Sequence, residues 1–311
     1  MLQIVSRTFF HILAGSQGLK SLASRYGMRT QAGFARRFIA GESVEEAIEA
    51  ARTIERDGLT VTLDFLGESV TSIAEADAAT RTYLGIMDKI AASGIDRNVS
   101  LKLTQLGLTI DRATCVDNLR RILDAGAAKD FFVRIDMENS PFTAVTLDVF
   151  ETMWQQGYRN AGVVLQSCLP RSEEDAARMN ALGARVRLVK GAYNEPKDVA
   201  YQSKADVDAA FVRIMQLLLA GGNYPAIATH DPAMLDATRA FATQRSLDPS
   251  TFEFQMLYGI RRDLQGGLRR DGYRVRVYVP FGCEWFPYFM RRLGERPANV
   301  GFVLRGVLGE R

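Results

Sequence analysis

Leu59-Thr-Val-Thr-Leu-Asp-Phe65 is a short β-branched and apolar run, and the stretch that follows it, 73–92, spaces its apolar residues for a helix. The next run, 99–103, opens the same cycle again, with helical spacing over 116–125. Further runs of the same kind occupy 131–137, 162–166, 186–189, 226–229, 252–256 and 273–279. Helical stretches at 173–182, 199–220, 234–244 and 261–269 lie among the later ones. Eight strands alternating with helices predict a parallel β/α architecture. Roughly 250 residues over eight units is the usual extent of a (β/α)₈ barrel. A doubly wound open sheet would carry GxGxxG or a phosphate loop after its first strand, and neither pattern occurs. The fold class predicted is therefore α/β, a (β/α)₈ TIM-type barrel over 59–311. An N-terminal helical segment over 1–58 packs on it, and a final helix lies over its C-terminal mouth.

The rest of the composition agrees with an ordinary folded enzyme-sized chain. Of 311 residues, 47% are apolar and 24% charged, which excludes a disordered chain, a collagen-like one and a disulfide scaffold. A net charge of +3 gives no argument for nucleic acid. Three cysteines stand far apart without CxxC spacing, and two histidines, His11 and His230, are too few for a multi-histidine metal site. No apolar run reaches the roughly 18 residues that span a bilayer. Residues 1–41 hold Arg7, Lys20, Arg25, Arg29, Arg36 and Arg37 and no acid. That segment reads as a transit peptide, as a basic helix resting on an anionic membrane, or as a solvated helix pair of the fold. Ser43 and Glu46 just beyond it are spaced as a capping box.

In such a barrel the active site lies at the carboxyl ends of the strands. In chain order those ends carry Asp64 and Glu68, then Lys102, then Arg134 with Asp136 and Glu138, then Gln166. Arg187 and Lys190 follow, then Thr229, His230 and Asp231, then Gln255, and last Tyr278. Any one alone reads as an exposed loop group. Eight consecutive ends of this kind predict a ring of polar groups converging on a large polar ligand. Beyond the eighth strand, Tyr288, Arg291, Arg292 and Glu295 share one helical face, and Pro297 ends the helix. Two adjacent guanidiniums beside a phenol make a carboxylate clamp, because arginine binds carboxylates through two parallel hydrogen bonds.

Six stretches carry a family resemblance. They are Val99-Ser-Leu-Lys102-Leu, Arg134-Ile-Asp136-Met-Glu138, Arg187-Leu-Val-Lys190-Gly-Ala-Tyr193, Ala228-Thr-His230, Glu253-Phe-Gln255-Met-Leu-Tyr258-Gly and Tyr288-x-x-Arg291-Arg292-x-x-Glu295-Arg296-Pro297. In this order, over essentially the whole chain, they resemble the proline dehydrogenases, FAD-dependent barrel enzymes that include a domain of bifunctional proline-utilisation proteins. Asn194 departs from the larger apolar residues common after that family's Lys-Gly-Ala-Tyr.

The resemblance implies oxidation of L-proline to 1-pyrroline-5-carboxylate by hydride transfer to FAD, the first step of proline catabolism to glutamate. It also implies reoxidation by a membrane quinone and a separate pyrroline-5-carboxylate dehydrogenase as a partner. By the same resemblance Arg291 and Arg292 pair with the substrate carboxylate and Lys102 adds a third positive charge. Asp136 offsets that charge and joins Arg187 and Tyr278 in the catalytic set. Tyr193, Tyr278 and Tyr288 wall the substrate ring. Arg187 approaches the flavin N5 edge, Gln166 bonds its pyrimidine edge, and Met137 packs beside it. Lys190, Gly191 and Ala192 follow the cofactor, and Thr229 and His230 hold ribityl or phosphate oxygens. Glu68 pairs with Arg291 as a gate over bound proline. No metal and no nucleic acid are expected. The expected localisation is cytoplasmic, with peripheral contact at the inner membrane surface open and mitochondrial import less favoured. Three alternatives stand beside this: a hydroxyproline or other cyclic secondary amine dehydrogenase, an aldolase using Lys190 or Lys102 as a Schiff base, and a non-catalytic binding barrel.

Overall fold

The structure, a computed structural model, describes residues 34–67 and 70–295. A 3₁₀ turn, Phe34–Arg37, leads to α1 (Val44–Arg56). Ser43 Oγ accepts the Glu46 N–H at 3.3 Å while the Glu46 carboxylate accepts the Ser43 N–H at 3.2 Å. That is the capping box expected from the spacing, and such caps stabilise a helix by about 1 kcal/mol. Then come β1 (Thr60–Phe65), α2 (Ile73–Ser93), β2 (Asn98–Leu101), α3 (Arg112–Ala127), β3 (Phe132–Ile135) and α4 (Thr143–Gln155). The second half holds β4 (Ala161–Gln166), α5 (Ser172–Leu182), β5 (Arg185–Val189), α6 (Lys204–Gly221), β6 (Ala226–Ala228) and α7 (Pro232–Gln244). It ends with β7 (Glu253–Leu257), α8 (Arg262–Arg270), β8 (Val275–Phe281) and α9 (Trp285–Glu295).

The eight strands are parallel and close into a barrel in chain order, with Thr60 of β1 opposite Arg276 of β8. The expected barrel is the one observed. The periodicity predicts no helix between the third and fourth strands, yet α4 lies there. Its Thr143, Val145, Thr146, Val149 and Thr152 are stiff at χ1 and weaken the helical signal. Burial of Leu147, Val149, Phe150 and Met153 overrides that preference. The N-terminal helical segment expected over 1–58 is, among the described residues, one 3₁₀ turn and α1. Arg7, Lys20, Arg25 and Arg29 lie outside those residues; Arg36 pairs with Glu46 at 2.6 Å. Among the described residues no helix is long and apolar enough to cross a membrane.

Alternate strand residues face the helices and the barrel axis. The outward set, including Val61, Leu63, Val133, Ile135, Val186 and Leu188, is buried and apolar. Each such side chain stabilises the wall by roughly 1.5–3 kcal/mol. The inward set departs from the branched apolar layers usual in this fold. Ser100, Arg134, Arg187, Glu253 and Gln255 are all buried polar groups, with Arg276 nearly so.

A second, smaller core sits beside the barrel mouth. Phe38 and Ile39 pack with Trp285, Phe286, Phe289 and Met290 of α9, all buried. Trp285 Nε1 also donates to Glu42 Oε1 at 3.0 Å. Gly259, at φ +71°, lets the turn after β7 pass beneath this segment, since a Cβ there would fall 1.6 Å from the Arg37 carbonyl oxygen. An isolated helix of α9's length is marginal in water, so this core is what seats it.

Candidate active site

The carboxyl ends of the strands open into a cavity of about 400 Å³, within the range of small-molecule and cofactor pockets. Lys102, Asp136, Gln166, Arg187, Lys190, Thr229, His230 and Tyr278 line it from the barrel. Met137, Gly191, Ala192 and Tyr193 come from strand-end loops, and Tyr288, Arg291 and Arg292 come from α9. Every described residue to which the resemblance gives a role is thus brought to one cavity. Glu68, the expected gate, lies outside the described residues. Arg134 and Glu138 are corrections to the expected ring. Arg134 reaches down the axis to the carbonyls of Val163 and Arg185, at 3.0 and 2.7 Å. Burial and the nearby Arg187 charge hold its guanidinium well below its ordinary range. Glu138 accepts from Thr104 N and Oγ1 at 3.2 and 2.7 Å, fixing the turn after β2.

Asp136, immediately after β3, is the hub. Its Oδ1 accepts from Arg187 Nη1 at 2.7 Å and its Oδ2 from the Tyr278 hydroxyl at 2.7 Å. Lys102 Nζ stands 3.6 Å from the same Oδ2 and 3.3 Å from Asp64 Oδ1. Burial and the Asp136 charge push the Tyr278 hydroxyl well above the usual phenol range, so it stays protonated and donates. Burial raises the Asp64 carboxyl, the Lys102 ammonium pulls against that, and the Asp136 charge adds to the rise; the net direction is upward. Asp64 was legible at a strand end but carried no role; here it is the second counter-charge to Lys102. Lys102 therefore does not enter the cavity as an uncompensated cation.

The opposite wall is built around Lys190. Its Nζ donates to Asp231 Oδ2 at 2.6 Å and to Asp208, and Lys204 donates to the same two carboxylates. Asp231 Oδ1 meanwhile caps α7 through the Ala233 N–H at 3.1 Å. Burial alone would raise the Asp231 carboxyl, but hydrogen bonds from Lys190 and Lys204 outweigh it and bring it down to about 2. Its folded value lies below the unfolded one, so the stability it contributes is full above about pH 5 and is lost as pH falls toward 2. Asp231→Asn keeps a good cap and removes only the charge. The melting-temperature gap between wild type and Asp231→Asn should be widest above pH 5 and narrow steadily toward pH 3. A gap that stays constant over this range would rule out the charge clasp.

His230 Nε2 accepts the Leu257 N–H at 2.9 Å, so in the neutral ring the proton sits on Nδ1. Gln166 Nε2 donates to the Glu138 carbonyl at 2.9 Å. Gly191, at φ +109°, brings the 190–192 backbone against Cys168, whose Sγ would lie 2.4 Å from a Cβ there. Small residues in this strip, with Ala192 and Ala228, line the cavity beside Arg187 and Lys190. Cationic and amide groups beside small residues suit a ligand with a polar edge and an anionic part, as a flavin cofactor has. Across the cavity, Arg292 lies over the Tyr288 ring at 5.1 Å, and Tyr288 is buried.

Sequence reasoning missed Ser100, Glu253 and Arg276 as parts of this apparatus. Ser100 Oγ accepts from Arg187 Nη2 at 3.2 Å, and Glu253 pairs with Arg276 at 2.9 Å. Their signal was available: charged and hydroxyl residues at inward positions of strands that ordinarily read as continuous apolar runs.

A closed parallel barrel whose mouth joins a carboxylate-centred charge network to an arginine-bearing helix after the eighth strand defines a ligand-transforming barrel enzyme. The proline dehydrogenase family model matches residues 47–305. Proline dehydrogenase of Deinococcus radiodurans is 43% identical over 278 residues, 88% of this chain and 90% of its own. Proline dehydrogenase 1 of Bacillus subtilis subsp. natto is 40% identical over 302 residues, 97% and 99% of the two chains. In structure, proline utilization A from Bdellovibrio bacteriovorus, inactivated by N-propargylglycine, superposes with a TM-score of 0.80 at 29% identity. That match covers 90% of this chain and 34% of the other. The chain belongs to the proline dehydrogenase family and is, by that membership, an oxidoreductase.

Proposed function

We propose that this chain oxidises L-proline to 1-pyrroline-5-carboxylate with FAD as its cofactor and a membrane quinone as the final electron acceptor. The observation that carries the reading is the pairing of Arg291 and Arg292 on α9 with the Asp136–Arg187–Tyr278 network across one cavity. Bound FAD would supply hydride acceptance from the substrate carbon beside nitrogen. The chain's own residues hold and orient. Arg291 and Arg292 bind the carboxylate, and Lys102, its charge balanced by Asp64 and Asp136, would still offer it an N–H donor from the end of β2. Asp136 ties Arg187, Lys102 and Tyr278 into one rigid unit, so the walls need no rearrangement as charge moves. Tyr193, Tyr278 and Tyr288 wall the substrate ring and exclude water. Lys190, Gly191, Ala192, Gln166, Thr229, His230 and Met137 would hold the cofactor, and Arg187 faces both ligands. A separate dehydrogenase for the product and peripheral contact with a membrane belong to the same proposal.

The purified protein should be yellow, and its visible spectrum should bleach on addition of L-proline. A colourless protein, or a yellow one inert to proline, would sink the assignment. A second reading, oxidation of 4-hydroxyproline, is weighed by Tyr278, whose ring fills the wall beside the ligand. Tyr278→Ser should slow proline turnover and narrow the preference for proline over 4-hydroxyproline. An unchanged ratio of the two specificity constants would place that ring away from the substrate.

A further inference from the structure

Glu253-Phe-Gln255 of β7 puts a polar side chain at two successive inward positions, and the reaction outlined above gives neither a task. Gln255 Oε1 accepts from Arg187 Nε at 2.5 Å, and Gln255 Nε2 donates to Glu253 Oε1. The same Glu253 oxygen accepts from Arg276 Nε at 2.9 Å, while Tyr224 donates to Glu253 Oε2 at 3.2 Å. Arg276 is in turn paired with Asp96, in the loop before β2, at the far end of the barrel from the cavity. A continuous chain of hydrogen bonds thus runs up the axis from Asp96 to Arg187 and Asp136.

The two ends of a side-chain amide have nearly the same shape, so its surroundings choose its orientation. Arg187 offers only donors and therefore needs the amide oxygen. An ionised carboxylate offers only acceptors and therefore takes the NH₂. Burial would raise the Glu253 carboxyl, yet the Arg276 charge and the hydrogen bonds from Arg276 and Gln255 bring it below its ordinary value. It is an acceptor at neutral pH. Without it, the amide NH₂ loses its acceptor, and Gln255 is held from the Arg187 side but no longer anchored from below.

We propose that Glu253 is a positioning residue for Arg187, acting through Gln255: it fixes the amide so that its oxygen holds the Nε edge of the guanidinium while Asp136 holds the other. Glu253 itself touches neither ligand.

Glu253→Met alone leaves the buried Arg276 with Asp96 but without its buried carboxylate partner, so the informative variant is Glu253→Met/Arg276→Leu, which removes both charges of the Glu253–Arg276 pair. Proline-dependent bleaching of the holoenzyme is compared with wild type, Gln255→Met and Glu253→Gln, with melting temperature and bound flavin measured for each. The paired variant and Gln255→Met should each lower the limiting bleaching rate about tenfold, the loss of one charge-assisted hydrogen bond. KM for proline should move less than about threefold, because the carboxylate clamp is untouched. Combining all three substitutions should cost no more than Gln255→Met alone, since one link is broken either way. Glu253→Gln, which can keep an oxygen toward Gln255 Nε2, should restore most of the rate. A wild-type rate in the paired variant, or full additivity with Gln255→Met, overturns the proposal. These rates rest on the proline reading. A crystal structure of the paired variant does not: the Arg187 Nε to Gln255 separation should open beyond 3.5 Å, and an unchanged contact refutes the relay whatever the substrate.

Discussion

Asp136→Ala is expected to slow proline-dependent bleaching by about three orders of magnitude and to destabilise the protein. The carboxylate accepts from Arg187 and from Tyr278 at 2.7 Å each and stands 3.6 Å from Lys102. Two hydrogen bonds to a charged group, at roughly 1.5–3 kcal/mol each, account for a loss of that size. The stability cost has a separate origin. Removing one partner leaves Arg187 buried without this carboxylate and Lys102 beside Asp64, and breaking a buried pair this way costs about 3–5 kcal/mol. Asp136→Asn keeps one acceptor oxygen and should fall between wild type and Ala in both measurements. Stopped-flow reduction and calorimetry check the two effects independently. If Asp136→Ala reduces its flavin at the wild-type rate, the hub has no part in the chemistry.

Arg291→Met/Arg292→Met is expected to raise KM for proline by about a hundred-fold or more while flavin content stays at the wild-type level. In the proposed reading each guanidinium would contribute a charge-assisted bond to the carboxylate, on the order of tenfold or more apiece. Both sit on α9, which reaches the cavity from above and contributes nothing to the barrel wall. Flavin binding and melting temperature should therefore separate cleanly from substrate affinity. Lost flavin at unchanged KM would move the arginines to the cofactor side.

The two predictions draw on different degrees of legibility. The barrel was readable because outward strand residues must be apolar to meet the helices, and that demand marks each strand, as in Val186 and Leu188. α4 was not, because its packing, rather than the propensity of its threonines and valines, makes it helical. The cavity residues were readable as strand ends and as one face of the last helix. Their mutual arrangement was not. Arg134 and Asp136 differ by two residues and face the same axis, yet one reaches down to carbonyls of neighbouring strands and the other meets Arg187. Only the closure of the barrel decides which layer each head group enters. Lys102 shows the same limit: its position suggests a bare cation for an anion, and its neutralisation by Asp64 depends on two strands being adjacent.

The small core that seats α9 joins Phe38 to Phe289, whose ring centroids lie 6.1 Å apart. About 250 residues of chain separate these partners. At roughly 5–20 residues per second, a ribosome needs about 12–50 s to make the second after the first. Throughout that interval Phe38 and Ile39 wait without the apolar face that covers them in the finished molecule, while the barrel grows strand by strand. Arg291 and Arg292 thus sit on the last of the described elements lining the cavity to come within reach of its seat. A nascent chain stalled before α9 would present a nearly complete barrel with an oily notch at its rim, the kind of surface that chaperones hold and that aggregates recruit.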